Sequence, residues 1–457
     1  MQIIVVGCGK MGMELANRLV AEGHDVTVID RSEAVLEHCL DTLDVMTVKG
    51  SGVSFDALTE ADVKHADIVI ASTMSDETNM LTCLTAKRLG AKYTIARIRD
   101  PEYLGSLSSL SKELSIDYVI NPERATAREI SRILRLPFAV SIETFARGLV
   151  EMVEFRADGT EPFCGVTLDH YARTTKLPRV LFCAVERGHQ PYIPKGDFTI
   201  QAGDAVFVAA EPATITEFFK GLGKNTRGAH NAMIVGGSRI AYYLAGLLHD
   251  TGVKTTIVEH HSEKARWLSE ALPAANIIHG DGTDQQLLLS EGLRTTDAFI
   301  ALTDRDEENL MTGLYATQYA NCKVIVKSTR VNYTEMLKNM GMDGIISPLQ
   351  VACNIILRTV RARANGYGTA VERMYRIMSD KAEALEFIAR AGAPYIGIPL
   401  RSLNIRSSAL VAVIVRGSHV LVPFGDDTIE ADDRVVIITC ETGIVDLNDV
   451  MGQKTHE

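Results

Sequence analysis

The sequence is short of several things, and each shortage removes a class of protein. The 457 residues contain no apolar run near the roughly 20 residues that a membrane-spanning helix needs. The longest apolar stretches, such as Ile3-Ile4-Val5-Val6 and Val435-Val436-Ile437-Ile438, have strand length and end at Gly or polar residues. Basic residues are outnumbered, 47 Lys and Arg against 58 Asp and Glu, for a formal charge of −11. That balance argues against nucleic acid as a partner and against direct docking or insertion at an anionic lipid surface. The eight cysteines stand singly, with no Cys-x-x-Cys pair. Such spacing fits a reducing cytosol and argues against structural zinc. No basic segment precedes the first apolar residues, so a signal peptide is not expected. What remains is an ordinary soluble composition, 46% hydrophobic and 23% charged, at a length of three or four domains.

What the chain does have is an internal repeat. Ile3–Val6 leads into Gly7-Cys8-Gly9-Lys10-Met11-Gly12, and Ala232–Val235 leads into Gly236-Gly237-Ser238-Arg239-Ile240-Ala241, an offset of 229. Asp30 falls on Glu259 at the same offset, each closing an apolar run. The register then slips by one: Gly50-Ser51-Gly52 matches Gly280-Asp281-Gly282, Thr73 and Asn79 match Thr303 and Asn309, Arg97 falls on Lys327 and Tyr103 on Tyr333. Arg187-Gly188, Pro194 and Gly196-Asp197 return at 229 as Arg416-Gly417, Pro423 and Gly425-Asp426. Two copies of one module fill the chain.

Each copy alternates strand-length apolar runs with helical patterns, the pattern of an α/β doubly wound (Rossmann-like) parallel sheet. A turn-rich part with short strands such as Arg179–Val185 and Ala205–Ala210 follows, which suggests a small α+β domain. The expected divisions are a Rossmann-like domain over 1–120, a linking helix over 121–138, a small domain over 139–222, a linker over 223–230, a second Rossmann-like domain over 231–346, a second linking helix over 347–366 and a second small domain over 367–451. Asn121-Pro122 and Ser347-Pro348 are the helix starts, a capping residue with Pro at the first helical position. Ile130, Ile133 and Leu134 give the first linking helix its apolar face.

Gly7-x-Gly9-x-x-Gly12 stands where a dinucleotide site requires it: after a strand, opening a helix, with an acid about twenty residues on. Gly7 permits the turn, Gly9 lets the backbone approach a pyrophosphate, and Gly12 allows close helix–strand packing. The helix start supplies N–H groups and the positive dipole end. Asp30, expected to be exposed at a loop, would accept ribose hydroxyls and favours NAD over NADP, with Arg31 moderating the preference. In the second copy Ser238 replaces the close-approach glycine and Ala241 the last one, so that site is expected to bind more weakly or to take another nucleotide.

Thr73-x-x-Asp76 and Thr303-x-x-Asp306 read as capping-box starts, and their place after the fourth strand also sets them at the carboxyl edge of the sheet. Arg97 and Lys327 end apolar strands and are candidates for neutralising phosphate charge, with a solvated strand-end cation as the plainer reading. His260-His261 is not expected to hold a metal, because adjacent residues rarely face one site and no third ligand has fitting spacing. The cysteines read as small core residues, and Met336, Met340 and Met342 as helix packing.

The glycine motif with Asp30, the segment Ser75-Asp76-Glu77-Thr78-Asn79-Met80 and Ala96-Arg97-Ile98-Arg99 together resemble the RCK (regulator of potassium conductance, or KTN) domain. The turn-rich parts, with Pro162-Phe163-Cys164-Gly165 and Pro394-Tyr395-Ile396-Gly397, resemble its carboxyl-terminal companion. A tandem pair without a membrane segment is similar to the peripheral cytoplasmic regulators of potassium uptake. The resemblance implies a non-enzymatic regulator that binds NAD(H), or ATP and ADP. Such a regulator forms a homo-oligomer, a dimer or ring of RCK modules, beneath an integral membrane potassium transporter subunit. It also implies the binding residues: Gly7, Cys8, Gly9, Lys10, Met11 and Gly12 for the pyrophosphate, Asp30 for the ribose, Ser51, Thr73 and Met74 at the sheet edge, and Arg97 for a phosphate. The matching second set is Gly236, Gly237, Ser238, Arg239, Ile240, Glu259, Asp281, Thr303, Asp304 and Lys327.

Two rival functions share parts of this pattern. An NAD-dependent dehydrogenase needs an acid–base residue near the nicotinamide, and no His/Asp, Lys/Asn or Cys/His constellation stands out; His170 and His189 have no counterparts in the second copy. A nucleotide-sensing regulator of another transporter, such as a potassium efflux system or an anion carrier, has the same fold.

Overall fold

A computed structural model describes residues 1–103, 105, 114–329, 344–364, 371–378, 381–441, 443–444 and 446–451. Six parallel strands build the first sheet: β1 (Gln2–Val6), β2 (Asp25–Asp30), β3 (Met46–Lys49), β4 (Ile68–Ala71), β5 (Tyr93–Arg97) and β6 (Tyr118–Ile120). Their order is β3-β2-β1-β4-β5-β6, so the winding reverses between β1 and β4. Ile3 to Val6 and Ile68 to Ala71 are all buried, because helices cover both faces of a parallel sheet.

A five-stranded antiparallel sheet follows, made of β7 (Ser141–Phe145), β8 (Val150–Arg156), β9 (Leu181–Arg187), β10 (Gln190–Tyr192) and β11 (Ala205–Ala210) in the order β10-β9-β11-β8-β7. β9 starts two residues later than the apolar pattern suggested and continues through Arg187, whose guanidinium is held by the buried Asp204 carboxylate. The second copy repeats both parts. β12 (Asn231–Val235), β13 (Lys254–Glu259), β14 (Asn276–His279), β15 (Ala298–Ala301), β16 (Lys323–Lys327) and β17 (Ile345–Ile346) form a parallel sheet of order β14-β13-β12-β15-β16-β17. β18 (Val371–Ile377), β19 (Ala382–Ile388), β20 (Ala409–Arg416), β21 (His419–Leu421) and β22 (Arg434–Thr439) form the second antiparallel sheet.

The first linking helix, Pro122–Ile133, is shorter than the span assigned from sequence, and the second is described over Pro348–Ala364. Their caps stand where expected. Asn121 Oδ1 accepts the Arg124 N–H at 2.6 Å, and Ser347 Oγ accepts the Gln350 N–H at 3.4 Å. Ile130, Ile133 and Leu134 are buried. Met336, Met340, Met342 and Tyr333 lie outside the described residues.

The chain does not divide by copy. One compact unit is 1–130 with 230–360, and the other is 131–229 with 361–457. In the first unit the two parallel sheets belong together. Tyr243 Oη donates to the Arg99 carbonyl at 3.0 Å and accepts from Asn121 Nδ2 at 3.2 Å, and Arg18 Nη1 donates to Asn354 Oδ1 at 3.0 Å. In the second unit one apolar cluster joins both antiparallel sheets, with Phe145, Met152 and Phe207 against Ile377, Val413 and Val436. Two buried carboxylates are satisfied there: Glu386 by the Ala146 N–H and Arg434, and Glu383 by both Nη atoms of Arg361 at 2.8 and 2.9 Å. Breaking such a pair costs far more than its net worth, so it fixes the arrangement of this core.

Candidate nucleotide sites

The first site grows from the end of β1. Gly7 has φ +87°, and a Cβ there would stand 2.9 Å from Thr73 backbone atoms. Only glycine fits this turn. Gly12 is equally constrained by the Gly7 carbonyl, 2.0 Å from where its Cβ would be. Gly9 differs: it caps helix Lys10–Ala21, and a Cβ on it would meet no protein atom within 4 Å. The space before this helix start is therefore open, as the approach of a pyrophosphate requires. Lys10 is exposed beside it, while Met11 turns into the core.

Asp30 is half-buried and engaged, in contrast to the exposed loop carboxylate expected. Its Oδ2 accepts the Cys8 N–H at 2.7 Å and its Oδ1 the Ser32 N–H at 2.9 Å. Arg31, the other residue weighed for cofactor preference, donates to Ser51 Oγ at 2.9 Å. The carboxylate thus braces the glycine loop from below, and its remaining lone pairs are what a ribose can use.

Thr73 lies two residues past the end of β4 and Met74 is exposed beside it. The capping-box reading of Thr73 and Asp76 is corrected. Helix Asp76–Leu89 is capped by Ser75, whose Oγ accepts the Thr78 N–H at 3.0 Å; in the second copy Arg305 holds the cap position without a side-chain bond. Thr73 and Asp76 serve the loops instead. Asp76 Oδ2 accepts the N–H groups of Arg99 and Asp100, both at 2.8 Å. Thr73 is held by Asn79, a residue that the sequence pattern left without a role. Asn79 is fully buried, accepts from Thr73 N and Oγ1 at 2.8 and 2.7 Å, and donates to the carbonyls of Thr73 and Arg97. Asn309 repeats all four bonds with Thr303 and Lys327. The recurrence of Asn at the same place in both copies was the available signal.

Arg97 pairs with Glu123 at 3.8 Å, and its buried Nε has no hydrogen-bond partner among the described residues. Burial lowers its pKa, opposed by the nearby Glu123 charge. An incompletely satisfied guanidinium at a strand's carboxyl end fits a phosphate-bearing ligand.

In the second copy a cleft of about 350 Å³ lies at the equivalent edge. Gly236, Ser238, Glu259, Asp281, Thr303 and Asp304 line it. Gly237, Arg239, Ile240 and Lys327, assigned to this site from sequence, do not. Gly237 is sealed under Leu268 and Glu259, Ile240 faces the core, Lys327 is buried with its ammonium 3.5 Å from Asp304, and Arg239 ion-pairs at 3.5 Å with Asp100 of the first copy. Ser238 caps helix Arg239–Asp250 through a 3.4 Å bond from the Ala241 N–H.

Glu259 is buried and more heavily engaged than Asp30. It accepts from the N–H groups of Gly237 and His261 at 2.8 Å each and lies 2.9 Å from His261 Nδ1 and 3.2 Å from Lys264. Burial pushes its pKa up, but the His261 and Gly237 hydrogen bonds and the Lys264 charge outweigh it and hold the carboxyl at about 2. His260 and His261 both line the cleft despite being adjacent. Among the described residues, no group of three or more His, Cys, Asp or Glu is placed to hold a metal.

Comparison with known proteins agrees with this duplicated arrangement. The TrkA-N domain model matches residues 3–122 and again 232–348, and the TrkA-C domain model matches 152–223 and 384–447. The Trk system potassium uptake protein TrkA of Halomonas elongata is 32% identical over 447 residues, covering 96% of each chain. That of Vibrio alginolyticus is 32% identical over 445 residues, 96% of this chain and 95% of its own. A TrkA homolog of Methanosarcina mazei is 30% identical over 447 residues, 96% and 97% of the two chains. Among solved structures, the GsuK channel superposes with a TM-score of 0.64 at 17% identity, over 96% of this chain and 76% of that one. The GsuK channel bound to NAD gives 0.62 at 17% identity, with the same coverage. With both domain models matched twice in order, and full-length relatives at this identity, the chain belongs to the TrkA family of Trk system potassium uptake proteins.

Proposed function

We propose that this protein is the nucleotide-sensing regulatory subunit of a membrane potassium uptake transporter. It sits peripherally on the cytoplasmic face through a TrkH-like integral membrane subunit. NAD(H), or ATP and ADP, binds at the sheet edges and shifts a ring of RCK modules between conformations that open or close the ion path. Gly7, Cys8, Gly9, Lys10, Met11 and Gly12 hold the pyrophosphate, Asp30 the ribose, Ser51, Thr73 and Met74 the sheet edge, and Arg97 a phosphate. The second set centres on Gly236, Ser238, Glu259, Asp281, Thr303 and Asp304. The single observation that supports the reading best is the open helix start at Gly9, set directly above the Asp30-braced turn. The NAD-bound state of a GsuK channel supports the choice of ligand by likeness of fold.

The ligand works by differential affinity for two ring states, with couplings of about 1–3 kcal/mol. Binding occurs without turnover. The decisive experiment is calorimetric titration of the purified chain with NADH, NAD, ATP and ADP, counting sites per chain. Two sites of unequal preference support a sensor with diverged halves. No binding by any of the four, or sustained change of nicotinamide absorbance with hydroxy and amino acid substrates, overturns the proposal. Co-purification with a tagged potassium uptake subunit tests the partner; stable association with an unrelated carrier instead overturns that choice.

A further inference from the structure

Cys8 lies inside the glycine loop and Cys39 in helix Glu33–Thr42, and their sulfur atoms are 3.1 Å apart. Both side chains are buried, at 3% and 0% exposure. The distance is inside ordinary sulfur–sulfur contact and only about 1 Å longer than a disulfide bond of about 2.05 Å. The second copy is an internal comparison. At the offset of 229, Cys8 and Cys39 fall on Gly237 and Leu268. There the same contact is apolar: Leu268 Cδ1 occupies the space beside Gly237, 2.3 Å from where a Cβ would stand. Packing this junction therefore requires no thiol. The first copy carries two in contact, under the loop that the proposed function assigns to the nucleotide.

We propose that Cys8 and Cys39 are an oxidisable dithiol, closed to a disulfide by a hydroperoxide, and that closure weakens nucleotide binding at the first site alone. One thiol, as thiolate, attacks the peroxide O–O bond and becomes a sulfenic acid, releasing water after proton transfer. The second thiol displaces the sulfenic oxygen as water, forming the S–S bond. Overall two thiols and one hydrogen peroxide give one disulfide and two waters, with both electrons passing from sulfur to oxygen. The bond shifts the loop because nothing around it is slack. Gly7 is pressed against Thr73, Gly12 against the Gly7 carbonyl, and the Cys8 N–H is tied to Asp30. Drawing Sγ of Cys8 toward helix Glu33–Thr42 displaces the backbone donors that the pyrophosphate uses. Burial first, and the Cys39 contact second, push the Cys8 thiol well above its ordinary pKa, so oxidation is slow.

The regulatory half of this inference rests on the nucleotide reading above, and the test separates the two. The full chain is treated with graded hydrogen peroxide, then mapped by peptide mass spectrometry without reduction. A Cys8–Cys39 crosslinked peptide, two hydrogens lighter than the reduced pair, is expected. It is distinct from an oxygen added at Met13, whose sulfur lies 4.0 Å from Cys39. Absence of that crosslink, with peroxide consumed elsewhere, overturns the proposal. NADH titration should then show first-site affinity lowered about 5- to 150-fold in the oxidised chain, the range of ordinary couplings. Dithiothreitol should restore it, and neither Cys39→Ser nor Cys39→Ala should show the loss. Equal affinity before and after crosslinking overturns the regulatory half. If the reduced chain binds no nucleotide, the proposed function fails instead. Amide exchange across residues 7–12 then decides the loop shift: faster exchange on oxidation supports it, unchanged exchange overturns it.

Discussion

The carboxylate of Asp30 and the backbone N–H of Cys8 meet at 2.7 Å, and Glu259 meets Gly237 at 2.8 Å in the same way. The acid at the end of the second strand thus shapes the glycine turn before any ligand arrives. Asp30→Ala should lower NADH affinity at least about tenfold and also cost roughly 1–3 kcal/mol of stability, because the Cys8 N–H loses a charged acceptor. Calorimetry and thermal denaturation measure the two effects. A mutant that binds NADH like the wild type removes Asp30 from the ribose.

Gly9→Ser makes the first loop resemble the second. Its Cβ meets no protein atom within 4 Å, so stability should change by no more than about 0.5 kcal/mol. Affinity at the first site should fall, because the side chain enters the space assigned to phosphate. The reverse change, Ser238→Gly, removes one long capping bond at a cost on the order of a few tenths of a kcal/mol, since glycine is itself tolerated at a helix start, and should strengthen the second site. Retained affinity in Gly9→Ser places the pyrophosphate elsewhere.

Asn79→Ala and Asn309→Ala should each destabilise the protein by about 2–4 kcal/mol. Each leaves two backbone carbonyls and one N–H without their partner in a fully buried position. Chemical denaturation tests this, and a loss below about 1 kcal/mol means that water or a shifted loop replaces the amide.

Glu259 contributes a pH dependence of defined sign. Its carboxyl is held at about 2 in the folded chain against an ordinary value of 4.5. The stabilisation is complete above pH 4.5 and disappears as pH falls toward 2. Glu259→Gln should therefore be less stable than wild type at neutral pH, by an amount on the order of 2 kcal/mol, and the gap should close in acid. Thermal midpoints of the two proteins across that range give the comparison. A gap that stays constant with pH shows that Glu259 acts through packing alone.

The parts of this structure that were legible in the sequence are those set by backbone requirements. Gly7 and Gly12 announce a turn that excludes Cβ, Pro122 and Pro348 announce helix starts, and the fully apolar Ile3–Val6 announces a strand covered on both faces. Side-chain allegiances were less legible, because a polar residue can satisfy itself in several directions. Arg239 stands in the second glycine loop by position but turns to Asp100, 139 positions earlier in the chain. Thr73 looks like a cap, yet the hydroxyl of Ser75, two residues later, reaches the helix start first. Lys327 ends its strand as Arg97 does, but its shorter, more deeply buried ammonium turns to Asp304. Periodicity carries no information about such choices.

The interleaved make-up of the two compact units bears on how the protein is made. The first parallel sheet is complete by Ile120, but its partner in the same unit begins at Asn231. At a synthesis rate of about 5–20 residues per second, the first sheet waits on the order of ten seconds before the chain that supplies Tyr243 has emerged. Throughout that interval Asn121 lacks Tyr243 and Arg18 lacks Asn354, the partners that the second copy supplies in the finished unit. Two ribosomes on one message therefore present identical half-built surfaces side by side, the circumstance in which exchanged, chain-to-chain assembly competes with correct closure. Divergence between the copies gives the late half contacts, such as Tyr243 where the early half has Glu14, that a second early half cannot imitate.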